Sequence, residues 1–217
     1  MSIIMFASDK GGVGKTTTAL NLAVYLSGKS KKVVLVKTDK NEDLTRWKQR
    51  RADNGLSDIP LVEAYGDIRD ELTRLTRIAD HVIVDCAGYD NQEYRYGLLA
   101  SDIFVTPVKP SSRLETDTLE NISATVRRAK EGNPDIRSYA LFTRVKHNRM
   151  QAKITLGKHL TKAKGVISPL KTFISELDVF EDCVNEGAGV HDAERASSLT
   201  KAKAQIELMT HELGLLA

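Results

Sequence analysis

Residues 3–17 read Ile3-Ile4-Met5-Phe6-Ala7-Ser8-Asp9-Lys10-Gly11-Gly12-Val13-Gly14-Lys15-Thr16-Thr17, an apolar run, a glycine-rich turn and the start of a helix-period segment. The run 3–7 is short, rich in β-branched residues and continuously apolar, the pattern of a strand covered on both faces. Residues 16–27 follow with Leu20, Ala23, Val24, Leu26 and Ser27 on a helical stripe. Glycine in the turn between them allows positive φ and close approach of the backbone to an anion, so that several N–H groups and the helix N-terminus converge on it.

Lys15 then stands where it neutralises β- and γ-phosphates, and the Thr16 hydroxyl where it completes a magnesium shell. The segment 10–17 therefore predicts ATP and Mg2+ as ligands. The usual G-x-x-x-x-G-K-[ST] spacing asks for glycine at position 9; the chain has Asp9 there and an additional lysine, Lys10. Asp85 ends another apolar run, where a Walker B carboxylate would sit near the magnesium.

Outward from this segment the pattern repeats. Residues 32–36, 81–85, 102–106 and 138–142 are further short apolar runs, and 67–78, 115–131, 150–163 and 192–213 are amphipathic with helical period. This alternation predicts an α/β fold, a doubly wound, mostly parallel sheet in one domain over 1–217, with ligands at the carboxyl ends of the strands. The chain's 217 residues, 41% of them hydrophobic, suffice for one sizeable core. No apolar run is long enough to span a bilayer and the first residues lack a leader pattern, so a cytoplasmic protein is expected. Cys86 and Cys183 are far apart and form no C-x-x-C pair; buried thiols are the expectation, rather than ligands of a shared cluster.

The net charge of +3 hides an uneven distribution. Residues 127–171 hold twelve Lys or Arg against two acids, a local charge of +10 that attracts polyanions at long range. Arg127, Arg128, Lys130, Arg144, Lys146, Arg149, Lys153, Lys158, Lys162 and Lys164 would form one basic face if the helices near 127 and 158 are neighbours, a face suited to non-specific DNA. The final helix carries Ile206, Met209 and Leu213 on one stripe, with Glu207 and Glu212 among its polar residues. Packing against the sheet explains it better than lipid binding, so no stable membrane association is expected.

With Lys10 before the paired glycines, the loop resembles that of the ParA/MinD family of deviant Walker A ATPases, most of all the small plasmid-partition ParA proteins. The resemblance implies an ATPase that forms a homodimer on binding ATP, with Lys10 of one subunit reaching the phosphates held by the other. It implies that Asp39, in Lys37-Thr38-Asp39-Lys40-Asn41, matches the second aspartate of the family's D-x-D-P-Q and assists the attacking water beside the metal. Lys37, Lys40 and Asn41 depart from that pattern and bear on the rate of hydrolysis. Asp85-Cys86-Ala87-Gly88 resembles the D-G-A-G form of the Walker B segment, and Thr106-Pro107-Val108-x-Pro110-Ser111 the family's P-x-x-P-S turn.

Thr143-Arg144 falls where relatives contact adenine, and the segment 179–187 is expected as a loop walling the base pocket. The resemblance further implies a nucleoid-associated partition ATPase, stimulated by a centromere-binding or adaptor protein. A recruiter of a conjugation or other cellular complex, and a MinD-like membrane-associated positioning ATPase, are the alternatives.

Overall fold

In the computed structural model, which describes residues 1–87, 91–110, 114–162 and 165–216, a seven-stranded sheet runs through the molecule. Its strands are β1 (Ser2–Phe6), β2 (Val33–Lys37), β3 (Leu61–Glu63), β4 (His81–Asp85), β5 (Ile103–Val108), β6 (Arg137–Val145) and β7 (Ser168–Ser175). They lie in the order β3-β2-β4-β1-β5-β6-β7, and every pairing among the described residues is parallel. The helices are α1 (Lys15–Gly28), α2 (Asp43–Asp53), α3 (Arg69–Leu75), α4 (Gln92–Ala100), α5 (Leu114–Gly132), α6 (Met150–Lys162), α7 (Asp178–Asn185) and α8 (Leu199–Glu212).

The period-two alternation of β1 separates two cores. Ile4 and Phe6 pack with α1, α2, α7 and α8. Ile3, Met5 and Ala7 face the other way and pack with α3, α4, α5 and α6. The chain leaves β1 for β2 on one side, whereas β4 and β5 flank β1 and the later strands extend the opposite way. The loops after β1, β2 and β4 therefore meet at a topological switch, where an open α/β sheet leaves a crevice.

Several elements differ from the sequence expectation. β3 has three residues, too few to show a period, and β7 is interrupted by Pro169, Lys171 and Thr172 and shifts register twice against β6. The segment expected as a loop at 179–187 is mostly helix α7, which buries Val179, Phe180 and Cys183 but has no side-chain N-cap to announce it. α8 starts at Leu199 rather than near 192; Ser198 caps it in the left-handed region (φ 60), and Asp192 is engaged elsewhere.

The stripe Ile206, Met209 and Leu213 is fully buried, as expected of a packing helix. From the same helix Glu212 accepts the backbone N–H groups of Lys171 and Thr172 at 2.6 and 2.9 Å, and Gln205 that of Ser175 at 3.0 Å. No helix among the described residues is long and apolar enough to cross a membrane. Cys86 and Cys183 are both buried as free thiols.

Candidate functional site

The glycine loop is shaped from within and held from behind. Gly12 and Gly14 lie in the left-handed region at φ 69° and 84°, which a side chain would oppose, and Gly14 is the N-cap of α1. A β-carbon at Gly11 or Gly12 would meet nothing within 4 Å, so the loop faces open space. From β6, the Thr143 hydroxyl donates to the Val13 carbonyl at 2.6 Å and the Arg144 guanidinium to the Gly12 carbonyl at 3.2 Å. Because a trans peptide points its carbonyl and its N–H in opposite directions, drawing these two carbonyls toward β6 turns the N–H groups of Val13 and Gly14 outward. Lys15 leads α1 with its Nζ 3.4 Å from the Lys10 carbonyl, and Lys10 itself is half-buried.

Beneath the loop, the Thr16 hydroxyl donates to Asp85 Oδ2 at 2.7 Å. Asp85 is buried, and its other oxygen, Oδ1, has no hydrogen-bond partner among the described residues. Burial pushes its carboxyl up to about 6, against the opposing pull of the Thr16 hydrogen bond and the Lys15 charge, while the Asp39 and Asp43 carboxylates add to the rise. A hydroxyl beside a buried carboxylate with an unspent oxygen fits Mg2+, a hard cation that takes few protein ligands and completes its shell with phosphate and water. Among the described residues no cluster of three His, Cys, Asp or Glu side chains offers a self-sufficient metal cage.

Asp39 is brought to the same corner from the loop after β2. Its Oδ1 accepts the Asn41 backbone N–H at 3.1 Å. Lys37, which departs from the expected aspartate, is only 3% exposed and turns its ammonium away from Asp85 onto Glu63 Oε1 at 2.8 Å. Nothing in the sequence pattern announces this contact, because Glu63 lies on the three-residue β3. Nor does that pattern show Arg51, buried on α2, which pairs with Asp192 at 2.8 Å and donates to the Gly187 carbonyl.

On the other flank a cavity of about 130 Å³ is lined by Thr143, Arg144, Ile174, Leu177, Phe180 and Glu181, and opens onto Gly14 and Thr17. Thr143 and Arg144 thus line this cavity and also grip the glycine loop. Arg144 holds a left-handed conformation (φ 50) and pairs with Glu181 at 2.8 Å and more loosely with Glu176 at 3.7 Å.

Among the described residues the basic stretch divides between an exposed part and a part paired with acids. Arg127 and Arg128 are exposed on α5 and Lys158 on α6, successive crossovers packed on the same side of the sheet. Arg149 is exposed in a single 3₁₀ turn before α6, and Lys153 is half-buried with its ammonium 4.7 Å from the Phe173 ring. Lys146, by contrast, pairs with Glu176 at 3.3 Å beside the cavity, where Lys109 and Arg144 also gather. Those cations are drawn to the carboxyl edge by an acid that lies outside the stretch in sequence. Lys164, the Lys162 side chain, Gly88 and Ser111 lie outside the described residues.

Residues 4–187 match the CobQ/CobB/MinD/ParA nucleotide binding domain. The chain is 30% identical over 119 residues to the protein virC1 of Rhizobium radiobacter, covering 55% of this chain and 49% of that one. It is 49% identical over 53 residues to the chromosome-partitioning ATPase Soj of Thermus thermophilus, covering 24% of this chain and 21% of Soj. The matches thus span about half, or less, of these relatives' length. Among solved structures, a plasmid partition protein from Borrelia burgdorferi B31 bound to AMPPNP superposes with a TM-score of 0.73 at 20% identity, over 97% of this chain and 99% of that one. The MinC:MinD cell division complex of Aquifex aeolicus gives 0.70 at 16% identity, over 100% and 97%. Likeness at such identities speaks for the fold; the domain match, running from β1 through α7, speaks for descent, and the chain belongs to the CobQ/CobB/MinD/ParA nucleotide binding domain family.

Proposed function

We propose that this chain is a partition-type ATPase: one domain that binds ATP with Mg2+, dimerises in the ATP state, attaches to non-specific DNA and hydrolyses ATP when a partner protein stimulates it. The observation that carries the reading is the Thr16–Asp85 pair at 2.7 Å beneath a loop whose amides face outward. Lys15 holds the β- and γ-phosphates, and Thr16 and Asp85 hold the cation. Magnesium, when bound, neutralises charge on the phosphate oxygens. Asp39 orients the water that attacks the γ-phosphorus, with ADP as leaving group. Lys10 reaches across the dimer to offset the charge of two nucleotides brought to one interface. The adenine base occupies the cavity beside Phe180.

The partition reading draws support from Soj of T. thermophilus, a chromosome-partitioning ATPase, and from the B. burgdorferi plasmid partition protein. A protein partner draws support from MinD, solved with MinC. For DNA, exposed Arg127, Arg128, Arg149 and Lys158 supply a sequence-independent polyphosphate contact whose affinity falls steeply with salt. A cytoplasmic, nucleoid-associated protein follows from that reading.

The test is DNA binding with ATP, ADP or no nucleotide across a salt series, for the wild type, Lys10→Ala and Lys15→Ala. Binding is expected with ATP alone, to any sequence, and in neither variant. Lys15→Ala loses nucleotide as well, whereas Lys10→Ala keeps it and stays monomeric. Equal DNA binding in ADP and ATP would remove the switch; ATP-dependent lipid binding without DNA binding would replace partition by membrane positioning.

A further inference from the structure

We propose that Lys37, acting with Glu63 and Tyr65, is a positioning group for Asp39 and sets the rate of hydrolysis rather than the affinity for nucleotide. The inference deepens the ATPase reading above and rests on it. In the family pattern an aspartate precedes Asp39 by two residues; here a lysine stands there, and its surroundings are built for it.

Lys37 ends β2, in register with Glu63 of β3 on one side and Asp85 of β4 on the other. An ammonium has three protons to place, and burial makes each one costly to leave unpaired. All three have acceptors: Glu63 Oε1 at 2.8 Å, the Asn41 carbonyl at 2.9 Å and the Thr45 hydroxyl at 3.3 Å. Two of these belong to the segment that carries Asp39 into α2. Asn41, held through its carbonyl, in turn donates its N–H to Asp39 Oδ1 and accepts the Asp43 N–H at 3.2 Å. One buried cation thus fixes the turn that aims the Asp39 carboxylate.

Glu63 carries the support to the other side of the loop. Its Oε2 accepts the Tyr65 hydroxyl at 3.0 Å, and that hydroxyl lies 3.5 Å from the Asp39 carbonyl, a long and weak contact. Hydrogen bonds from Lys37 and then from Tyr65 hold the Glu63 carboxyl below the usual range, so it stays an acceptor for both. Tyr65 is 43% exposed, on the rim rather than in the core. Among the hydrogen bonds described, the side chains of Lys15, Thr16 and Asp85 make none to Lys37, Glu63 or Tyr65, and Asp85 meets the Asp39 loop through its backbone carbonyl, which accepts the Thr38 N–H; this is why binding and turnover should separate.

Steady-state ATP hydrolysis by Lys37→Met, Glu63→Gln and Tyr65→Phe, beside the wild type, tests the proposal. A small misplacement of a water-orienting group costs roughly 10- to 100-fold in rate, which is the fall in kcat expected for Lys37→Met. Tyr65→Phe loses one neutral hydrogen bond and is expected to fall about two- to fivefold, with Glu63→Gln between them. KM for ATP should stay within about twofold throughout, because uniform binding is untouched. Lys37→Met combined with Tyr65→Phe should lose less than the product of the two, as members of one network do.

A kcat within about twofold of wild type in both Lys37→Met and Tyr65→Phe would overturn the inference, and so would a rise in KM at constant kcat. Should Lys37→Met fail to fold by circular dichroism, Glu63→Gln and Tyr65→Phe carry the same test from half-exposed positions. A wild type that binds ATP but shows no turnover, with or without DNA, overturns the ATPase reading instead, and is distinct from a wild type whose turnover the variants match.

Discussion

Two loops at the carboxyl edge of the sheet do different work and are held in different ways. The glycine loop, 10–17, is set by its own backbone conformation, two left-handed glycines and a helix start, with two of its carbonyls drawn back by the Thr143 and Arg144 side chains of β6. The loop after β2, which carries Asp39, is set by side chains from two strands, Lys37 and Glu63, with Tyr65 on the rim. Asp85 joins the two, taking the Thr16 hydroxyl from the first on its side chain and the Thr38 N–H from the second on its backbone carbonyl at 3.3 Å. A loop that is to cradle an anion needs outward amides, which left-handed glycines and drawn-back carbonyls supply here. A loop that is to aim one carboxylate can be built from longer-range side-chain contacts.

The sharpest way to break this division is Asp39→Asn. If the second loop times the chemistry, kcat falls on the order of 10²-fold, the lower end of what a positioned catalytic group contributes, while KM barely moves. Single-turnover hydrolysis with radiolabelled ATP would measure it, and an ATP-bound dimer on DNA should persist correspondingly longer.

Asp85 probes the joint itself. Its carboxyl rises from 3.8 to about 6 in the folded chain through burial, so between those values the native state keeps a proton that the unfolded state has released. That protonation stabilises the fold fully below the unfolded value and is lost as pH rises through about 6, a swing of roughly 3 kcal/mol. Urea denaturation of nucleotide-free protein from pH 4 to 7 should show it as a fall in stability relative to Asp85→Asn, which cannot ionise there. Glu63, Asp67, Glu71 and Asp80, all held below their usual range, pull stability the other way, so the difference between the two proteins is the quantity to read. Saturating magnesium and ATP should shrink that difference, since the cation favours the ionised carboxylate.

Thr143→Val gives the smallest effect and the opposite kinetic signature. It removes one buried hydroxyl bond to the Val13 carbonyl, worth about 1 kcal/mol net, so KM should rise about fivefold with kcat nearly constant. A fall in kcat instead would mean that the first loop also governs timing.

What was legible in the sequence follows the same division. Gly11, Gly12, Gly14, Lys15 and Thr16 act within one strand-turn-helix, and local spacing announces them; β1, β2, β4, β5 and β6 announce themselves by apolar runs that two-sided burial requires. Lys37 read as a departure because its three acceptors lie on other segments. Lys146 and Arg144 read as part of a DNA-facing stretch because Glu176 and Glu181, which engage them, come three decades later in the chain. The helix at 178–185 read as a loop because eight residues without a cap carry too little pattern, and the turn that follows it dominated the signal.

The way α8 lies along β7 limits how two copies can meet. β7 is an outer strand of eight residues, the kind of border along which a neighbour's strand readily adds. Glu212 and Gln205 have already taken the amides of Lys171, Thr172 and Ser175, so a strand arriving there would have to displace a helix whose apolar stripe is buried. Sheet-to-sheet extension is thereby discouraged on that flank, and the ATP-dependent dimer proposed above would have to form elsewhere on the molecule, without adding strand to strand along β7.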